Sequence, residues 1–433
     1  MKVAILGNMN NNNFSLLRYL RDLNIDATLF LYKNDGSFFS SHFDYKSDTF
    51  EVEKWEKYII RTEIIDSRSQ IIGINFFLNI YLYISNKFFN LLSKGIVTKN
   101  SPSVFFIKKY LKKKLGGYDV IIGTGIAPSL FYLCDMKLDI YAPYAFGIEY
   151  FDCYETRNLI QSKNIVKKYI YKRLKQIQYM GLKKTKIINT QFGVTFETLK
   201  KNSLHFYPLD YPMVYLSENH LKLFDANNKS FNFLGEYDFV VLSHSRHIWI
   251  NENSDEKNDW DLYENKHNNW LIESFTSIKK KYPKKKLLLI LFEYGKDVKI
   301  SKKLCKKLKI ENSVIWCKKM DRKEILGLIN KVDVVASEFY TGEGIMWGGC
   351  GWEALIMGKP LIVGFNFKKD NFVKNFGFPP PPILGVKNKK DILKHLEKLI
   401  SKPKYTSKIG IESKEWFEEY NSYKAAKKWI KLF

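Results

Sequence analysis

The sequence predicts an α/β protein of two Rossmann-like domains, and three observations predict it. Short apolar runs alternate with segments whose apolar residues recur at helical spacing, the pattern of strands and helices in a parallel sheet. The alternation halts at a proline-bearing stretch, Tyr207 to Tyr215 (YPLDYPMVY), and then restarts. At 433 residues the chain exceeds one ordinary core and divides into two domains of about 200 residues each. The expected division is 1–215, 216–412, and a closing helix at 413–433 that packs back towards the first domain.

In the first half, Val3 to Leu6 is a short apolar strand, GNMNNNN a loop, and Phe14 to Leu23 a helix carrying Leu16, Leu17, Leu20 and Leu23 on one face. Ala27 to Tyr32 reads as the second strand. The unit is βαβ, which places ligand sites at the strands' carboxyl ends. Only Gly7 precedes the helix, so the glycine fingerprint of a nicotinamide cofactor is missing. Residues 71 to 92 are strongly apolar and aromatic, yet Asn75, Asn79, Ser85, Asn86 and Lys87 interrupt them, and a span needs about 20 predominantly apolar residues. A core helix and an interfacial helix both fit. Further strands are expected at Asp119 to Thr124, Asp139 to Ala142 and Ile187 to Thr190.

The second half repeats the alternation. Strands are expected at Phe239 to Leu242, Lys286 to Leu291, Val314 to Trp316, Val332 to Ala336 and Leu361 to Val363. Helices are expected at Trp270 to Lys279, Ser301 to Leu308 and Arg322 to Asn330. Two amphipathic helices, Lys390 to Ile400 and Glu412 to Leu432, finish the chain. Between the last two strands lies GEGIMWGGCGWEALIMGKP, a glycine-rich loop joined to a helix predicted from about Trp352 to Met357 and capped by Gly358 before Pro360. Gly344, Gly348, Gly349 and Gly351 let the backbone approach a ligand, and Glu353 in the first turn suits both the helix dipole and ribose hydroxyls.

The net charge of +25, from 70 Lys and Arg against 45 Asp and Glu, predicts attraction to a polyanion, an anionic membrane or phosphorylated substrates. Its source is mostly lysine, and Asn and Ile are abundant, so part of it reflects composition. Two stretches concentrate it. Residues 105 to 117 set five lysines beside Phe105, Phe106 and Tyr110, a pairing that favours anionic headgroups. Residues 163 to 186 hold nine basic and no acidic residues, either a solvated helix face or a membrane or phosphate contact. The five cysteines show no pairing or metal spacing, which fits a reducing, cytoplasmic compartment. MKVAILGN reads as a strand, not a signal peptide. No zinc finger, RNP-like or helix-turn-helix signature accompanies the lysines, which weakens the alternative of a basic nucleic-acid-binding protein.

Three charged residues stand where chemistry is expected. The first strand of the second domain ends in SHSRHIW, so Arg246 points from its tip. NKHNNW brings Lys266 to the start of the next helix, and Glu353 marks the far side of the same pocket. An arginine and a lysine so placed suit a diphosphate.

With these residues in view, the sequence resembles retaining GT-B glycosyltransferases of the family-four type (glycosyltransferase group 1), over nearly the whole chain and most strongly from Phe239 to Val363. The matching features are SRHIW, NKHNN and WEALIMGKP. The resemblance implies two Rossmann-like domains facing each other across a cleft, and a nucleotide diphosphate sugar as donor substrate with no cofactor and no metal. Arg246 and Lys266 would hold the diphosphate, Glu353 the ribose, and the loop Glu343 to Gly351, with His244 nearby, the donor sugar and phosphate. The family's two glutamates stand closer together than Glu343 and Glu353, so Glu338 in SEFYTG rivals Glu343. On the acceptor side the resemblance implies Gly7 and Asn8, the turn containing Gly123 and Gly125, and Gly147 with Glu149. Glu149 resembles the acidic member of a family triplet, and it also fits a plain helix or loop cap.

The implied activity is sugar transfer to a glycan or lipid-linked acceptor in surface polysaccharide or glycoconjugate synthesis, with retention, by a cytoplasmic enzyme peripheral to the inner face of the membrane. No specific nucleic acid partner is expected. The rival enzyme class is a nucleotide-sugar epimerase of GT-B-like fold, for which His244, His247 and His267 near the donor site leave room.

Overall fold

The structure is a computed structural model that describes residues 1–33, 44–64, 99, 102–143, 148, 151, 165–189, 198–227, 229–251, 261–342, 347–367 and 369–433. Of the expected features, the apolar stretch 71 to 92 and the candidate residues Gly147, Glu149, Glu343 and Gly344 lie outside these.

The chain forms two compact units. The first comprises Met1–Tyr45, Glu51–Pro212 and Ala425–Phe433; the second comprises Lys46–Phe50 and Met213–Lys424. The main switch thus falls within the proline-bearing stretch. One short early segment belongs to the second unit.

In the first unit the strands are β1 (Lys2–Leu6), β2 (Asp26–Leu31), β3 (Ile59–Arg61), β4 (Val120–Gly123), β5 (Ile140–Tyr141), β6 (Ile187–Asn189) and β7 (Phe206–Tyr207). They form one parallel sheet in the order β3-β2-β1-β4-β5-β6-β7. Val3, Ala4, Ile5, Ile122, Ile140 and Ile188 are all buried, as expected of strands covered on both faces. Helix Asn12–Asp22 follows β1, and helix Ala127–Leu133 follows β4. The final helix, Tyr423–Ile430, ends in this unit, where Trp429 Nε1 donates to the Asp210 carbonyl at 2.8 Å.

The second unit has β8 (Phe239–Ser243), β9 (Leu287–Phe292), β10 (Val314–Cys317), β11 (Val334–Ala336), β12 (Leu361–Gly364) and β13 (Leu384–Val386), again parallel, ordered β10-β9-β8-β11-β12-β13. In both sheets the first strand of the unit lies inside, and the order reverses beside it. That reversal opens a crevice at the carboxyl ends of the neighbouring strands. Helices Asn268–Lys281, Val298–Lys307, Arg322–Asn330, Gly348–Ile356 and Lys389–Ser401 join the strands or flank them.

Two expectations are corrected. The single helix anticipated from Glu412 to Leu432 is two, Pro403–Tyr420 and Tyr423–Ile430, broken at Asn421, whose side chain accepts a hydrogen bond from Met213 N at 3.1 Å. The helix anticipated from Trp352 begins earlier, at Gly348, so Glu353 is its sixth residue and not in its first turn. Glycine's low helix propensity yields there to packing: a Cβ at Gly351 would stand 2.6 Å from the Trp347 side chain, so the close approach requires glycine.

Candidate donor site at the carboxyl end of the second sheet

The segment after β8 is clamped from three sides. His247 N donates to the Tyr294 carbonyl at 2.7 Å, and Asp297 N donates back to the His247 carbonyl at 3.1 Å. Gly295, at φ +110°, makes this possible, because a Cβ there would meet the His247 carbonyl oxygen at 2.4 Å. The Asp297 carboxylate accepts from Trp249 N at 2.6 Å and Ile250 N at 2.9 Å. The His247 ring lies buried with Nδ1 2.9 Å from Ser301 Oγ. Burial pushes this imidazole down to about 4, against the opposing pull of Asp297, so it is neutral at pH 7.

The next element adds Lys266. Its N–H donates to the Ile248 carbonyl at 2.9 Å, while Asn268 Oδ1 accepts from Ile248 N at 3.0 Å. His267, left-handed at φ +45°, turns the chain into helix Asn268–Lys281 and stacks on Trp270 with ring centroids 3.8 Å apart. The Lys266 ammonium is almost fully buried and contacts the Glu338 carboxylate at the end of β11. Burial, then the Arg246 charge, pulls the Lys266 ammonium down to about 7, against the opposing pull of Cys350. Arg246 itself is exposed, 5.9 Å from the Tyr294 ring centroid, with no ion-pair partner among the described residues.

Glu353 is buried, at 6% exposure. His244 Nε2 lies 2.7 Å from Glu353 Oε2, and Arg322 Nε donates to Oε1 at 2.8 Å. Arg322 Nη1 reaches on to Asp48 Oδ1 at 3.0 Å. The result is a buried chain His244–Glu353–Arg322–Asp48. Burial alone raises the Glu353 carboxyl, but His244 and Arg322 outweigh it and hold it below the usual range. Burial likewise works against the His244 charge, and Cys350 and Glu353 overcome it, raising the imidazole to about 10. Donor atoms of His244, Cys350 and Glu353 lie within 4.8 Å of one another.

The structure therefore brings Arg246, Lys266, Glu338, His244, Glu353 and Gly348 to one end of one sheet. Gly348 is at φ +60°, and a Cβ there would stand 3.0 Å from Glu338 Oε2. Gly349 opens onto free space. Gly348, Gly349 and Gly351 open a helix, where a loop was expected. Sequence reasoning missed Arg322, Asp48 and Cys350. Arg322 carried one usable signal, its place as the first residue of a helix that Asp321 and Glu324 cap reciprocally. Asp48 carried none.

In the first unit, Gly7, at φ +85°, and Gly125, at φ +56°, turn the chain at the ends of β1 and β4, and Gly123 closes β4. Asn8 is occupied within its own loop: its Oδ1 accepts from Phe14 N at 2.9 Å and its Nδ2 donates to Asn11 Oδ1 at 2.8 Å.

The fold is that of a two-unit, Rossmann-like α/β protein of GT-B architecture. Residues 261–416 match the family glycosyl transferases group 1, a match that supports an enzyme of glycosyl transfer. No curated protein matches the sequence. Among solved structures, the chain is similar to sucrose-phosphate synthase from Thermosynechococcus elongatus, at 11% identity and TM-score 0.55, covering 100% of this chain and 98% of the other. It is similar also to a glycosyltransferase from Rickettsia africae, at 13% identity and TM-score 0.53, covering 100% and 97%. A third is UDP-GlcNAc 2-epimerase from Neisseria meningitidis bound to UDP-GlcNAc, at 12% identity and TM-score 0.55, covering 100% and 99%.

Proposed function

We propose that this enzyme moves a sugar from a nucleotide diphosphate sugar to a glycan or lipid-linked acceptor, with retention, in the synthesis of surface polysaccharide or glycoconjugate. One observation carries the reading: an exposed, unpaired Arg246 stands near the buried Lys266–Glu338 pair and shares its end of the sheet with Glu353, within or beside the family-matched segment. On this reading Arg246 binds the diphosphate as a planar fork, and Lys266, with three N–H donors, serves Glu338 and a phosphate oxygen together. Glu353, held at both oxygens by His244 and Arg322, presents its remaining lone pairs to the ribose. The first-turn amides of Gly348 and Gly349 face the donor's phosphates.

Chemically, the bond from the anomeric carbon to the diphosphate oxygen breaks as the acceptor oxygen bonds to the same face. The acceptor proton passes to the departing diphosphate. Arg246 and Lys266 stabilise the charge that develops there, a role no cofactor is assigned. The first unit supplies the acceptor side through Gly7, Gly123 and Gly125.

The reading extends to a peripheral location at the inner face of the membrane. In helix Pro102–Leu115, Val104, Leu111 and Leu115 are buried, while the opposite face exposes Phe105 (64%) and Phe106 (58%) beside Lys109, Lys112 and Lys113. No helix among the described residues is long and apolar enough to cross a membrane.

Incubation with a panel of nucleotide diphosphate sugars, with and without a lipid-linked acceptor, tests the activity. Transfer that requires the acceptor supports it. An epimerised sugar nucleotide formed without any acceptor would replace it with the epimerase reading.

A further inference from the structure

Cys350 has no part in the proposed transfer, yet it stands against the site's buried centre. One ring nitrogen of His244, the Cys350 sulfur and a Glu353 oxygen lie within 4.8 Å of one another. Imidazole, thiolate and carboxylate form the donor set of borderline, thiophilic divalent cations; calcium and magnesium, which prefer oxygen, are poorly served by it. Tetrahedral zinc at its usual bond lengths sets donors roughly 3.3–3.6 Å apart, so small side-chain rotations bring the three into range.

The surrounding charges favour an ion. Asp48, 3.0 Å from Arg322, neutralises that guanidinium. The Glu353 carboxylate and a Cys350 thiolate then remain, two negative charges against the two of the cation. Arg322 holds Glu353 through Oε1 alone, which leaves the Oε2 side, now shared with His244, for a metal. The other His244 nitrogen, Nδ1, is buried without a hydrogen-bond partner, in a side chain only 4% exposed. Partial exposure of Cys350 provides entry. Binding releases the thiol proton and the proton shared by His244 and Glu353 to solvent, so the balance closes without any redox partner.

We propose that His244, Cys350 and Glu353 form a binding site for a thiophilic divalent cation of the zinc type, with Arg322 and Asp48 orienting Glu353 from behind. The ion is a competitor for the donor site, not a participant in transfer. Binding itself is independent of the proposed function. Competition with the donor rests on that function.

Cobalt(II) tests the site directly, because thiolate coordination gives a near-ultraviolet charge-transfer band and tetrahedral geometry gives intense visible bands. The fully reduced full-length protein is titrated with Co2+ and then with Zn2+, alongside Cys350→Ser, Cys350→Ala and the control Cys317→Ser. The expected result is a saturable band at one equivalent, displaced by Zn2+, retained in the control, and weakened at least tenfold in both Cys350 variants. Absence of a thiolate band in the wild type overturns the proposal, as does an equal band in either folded Cys350 variant. The readout is optical and needs no donor, so failure here leaves the transferase reading untouched, and failure of transfer leaves the metal site untouched.

Discussion

The two sheets end in different chemistry although their strand order is nearly the same. At the carboxyl end of the second unit's sheet, buried charges face each other: Lys266 with Glu338, and His244, Glu353, Arg322 and Asp48 in a chain. At the corresponding end of the first unit's sheet, neutral groups do the work. Asn13 Nδ2 donates to the Gly7 carbonyl at 2.5 Å, Thr124 Oγ1 to the Leu6 carbonyl at 2.7 Å, and Gln178 Nε2 to the Gly125 carbonyl at 3.1 Å. Asn10 and Asn11 turn that loop at φ +54° and +59°, which asparagine tolerates better than most residues. On the proposed reading, one fold serves as a platform for two kinds of recognition. A charged, partly preneutralised end suits a diphosphate, and a neutral amide-and-hydroxyl end suits a sugar acceptor.

The largest expected effect comes from cutting the charged chain. Glu353→Gln leaves His244 and Arg322 facing a neutral group, and losing one partner of a buried ion pair costs about 3–5 kcal/mol. Transfer should fall by about a hundredfold or more, the usual loss when a preorganised polar contact is removed. Urea unfolding and initial rates report both; a variant as stable and as active as wild type would remove the distinction between the two ends. Asp48→Asn should destabilise the second unit less, by about 1–3 kcal/mol, because Glu353 still holds Arg322.

Arg246→Ala separates binding from folding. Its side chain is exposed and unpaired among the described residues, so stability should move by less than about 0.5 kcal/mol. Loss of a charge-assisted contact of about 1.5–3 kcal/mol predicts that affinity for the donor falls roughly ten- to a hundredfold. On the neutral side, Asn8→Ala should cost about 1–2 kcal/mol through its two loop hydrogen bonds, without altering donor affinity. Calorimetric titration with donor nucleotide distinguishes the pair.

A further effect is in pH. The His247 pKa is depressed in the folded state, to about 4, so the folded protein binds fewer protons than the unfolded chain. Its contribution to stability is complete above about pH 6.5 and is lost as pH falls towards 4. A melting-temperature profile of His247→Gln should lack that component between pH 6.5 and 4, and coincident profiles would refute the buried neutral imidazole.

The difference between the two ends also decided what the sequence disclosed. Strands such as Val3 to Leu6 and Phe239 to Leu242 are buried on both faces and announce themselves as apolar runs. Arg246, Lys266, Glu338 and His244 were legible because each follows a strand or precedes a helix. The short strands Ile59–Arg61 and Leu384–Val386 were not anticipated, since a run of three residues carries no period. Arg322 and Asp48 are 274 residues apart, and no local pattern can signal a pairing made by an early segment crossing into the second unit. The start of the Gly348 helix was hidden for a different reason: glycines that look like loop are there because Trp347 packs against Gly351.

The central claim, that the charged end of the second sheet binds a nucleotide diphosphate sugar, is tested most directly by titrating the donor nucleotide into wild type, Arg246→Ala and Asn8→Ala. The account predicts saturable binding to wild type and Asn8→Ala with equal affinity, and at least tenfold weaker binding to Arg246→Ala. Equal binding by Arg246→Ala, or weaker binding by the folded Asn8→Ala alone, would contradict it.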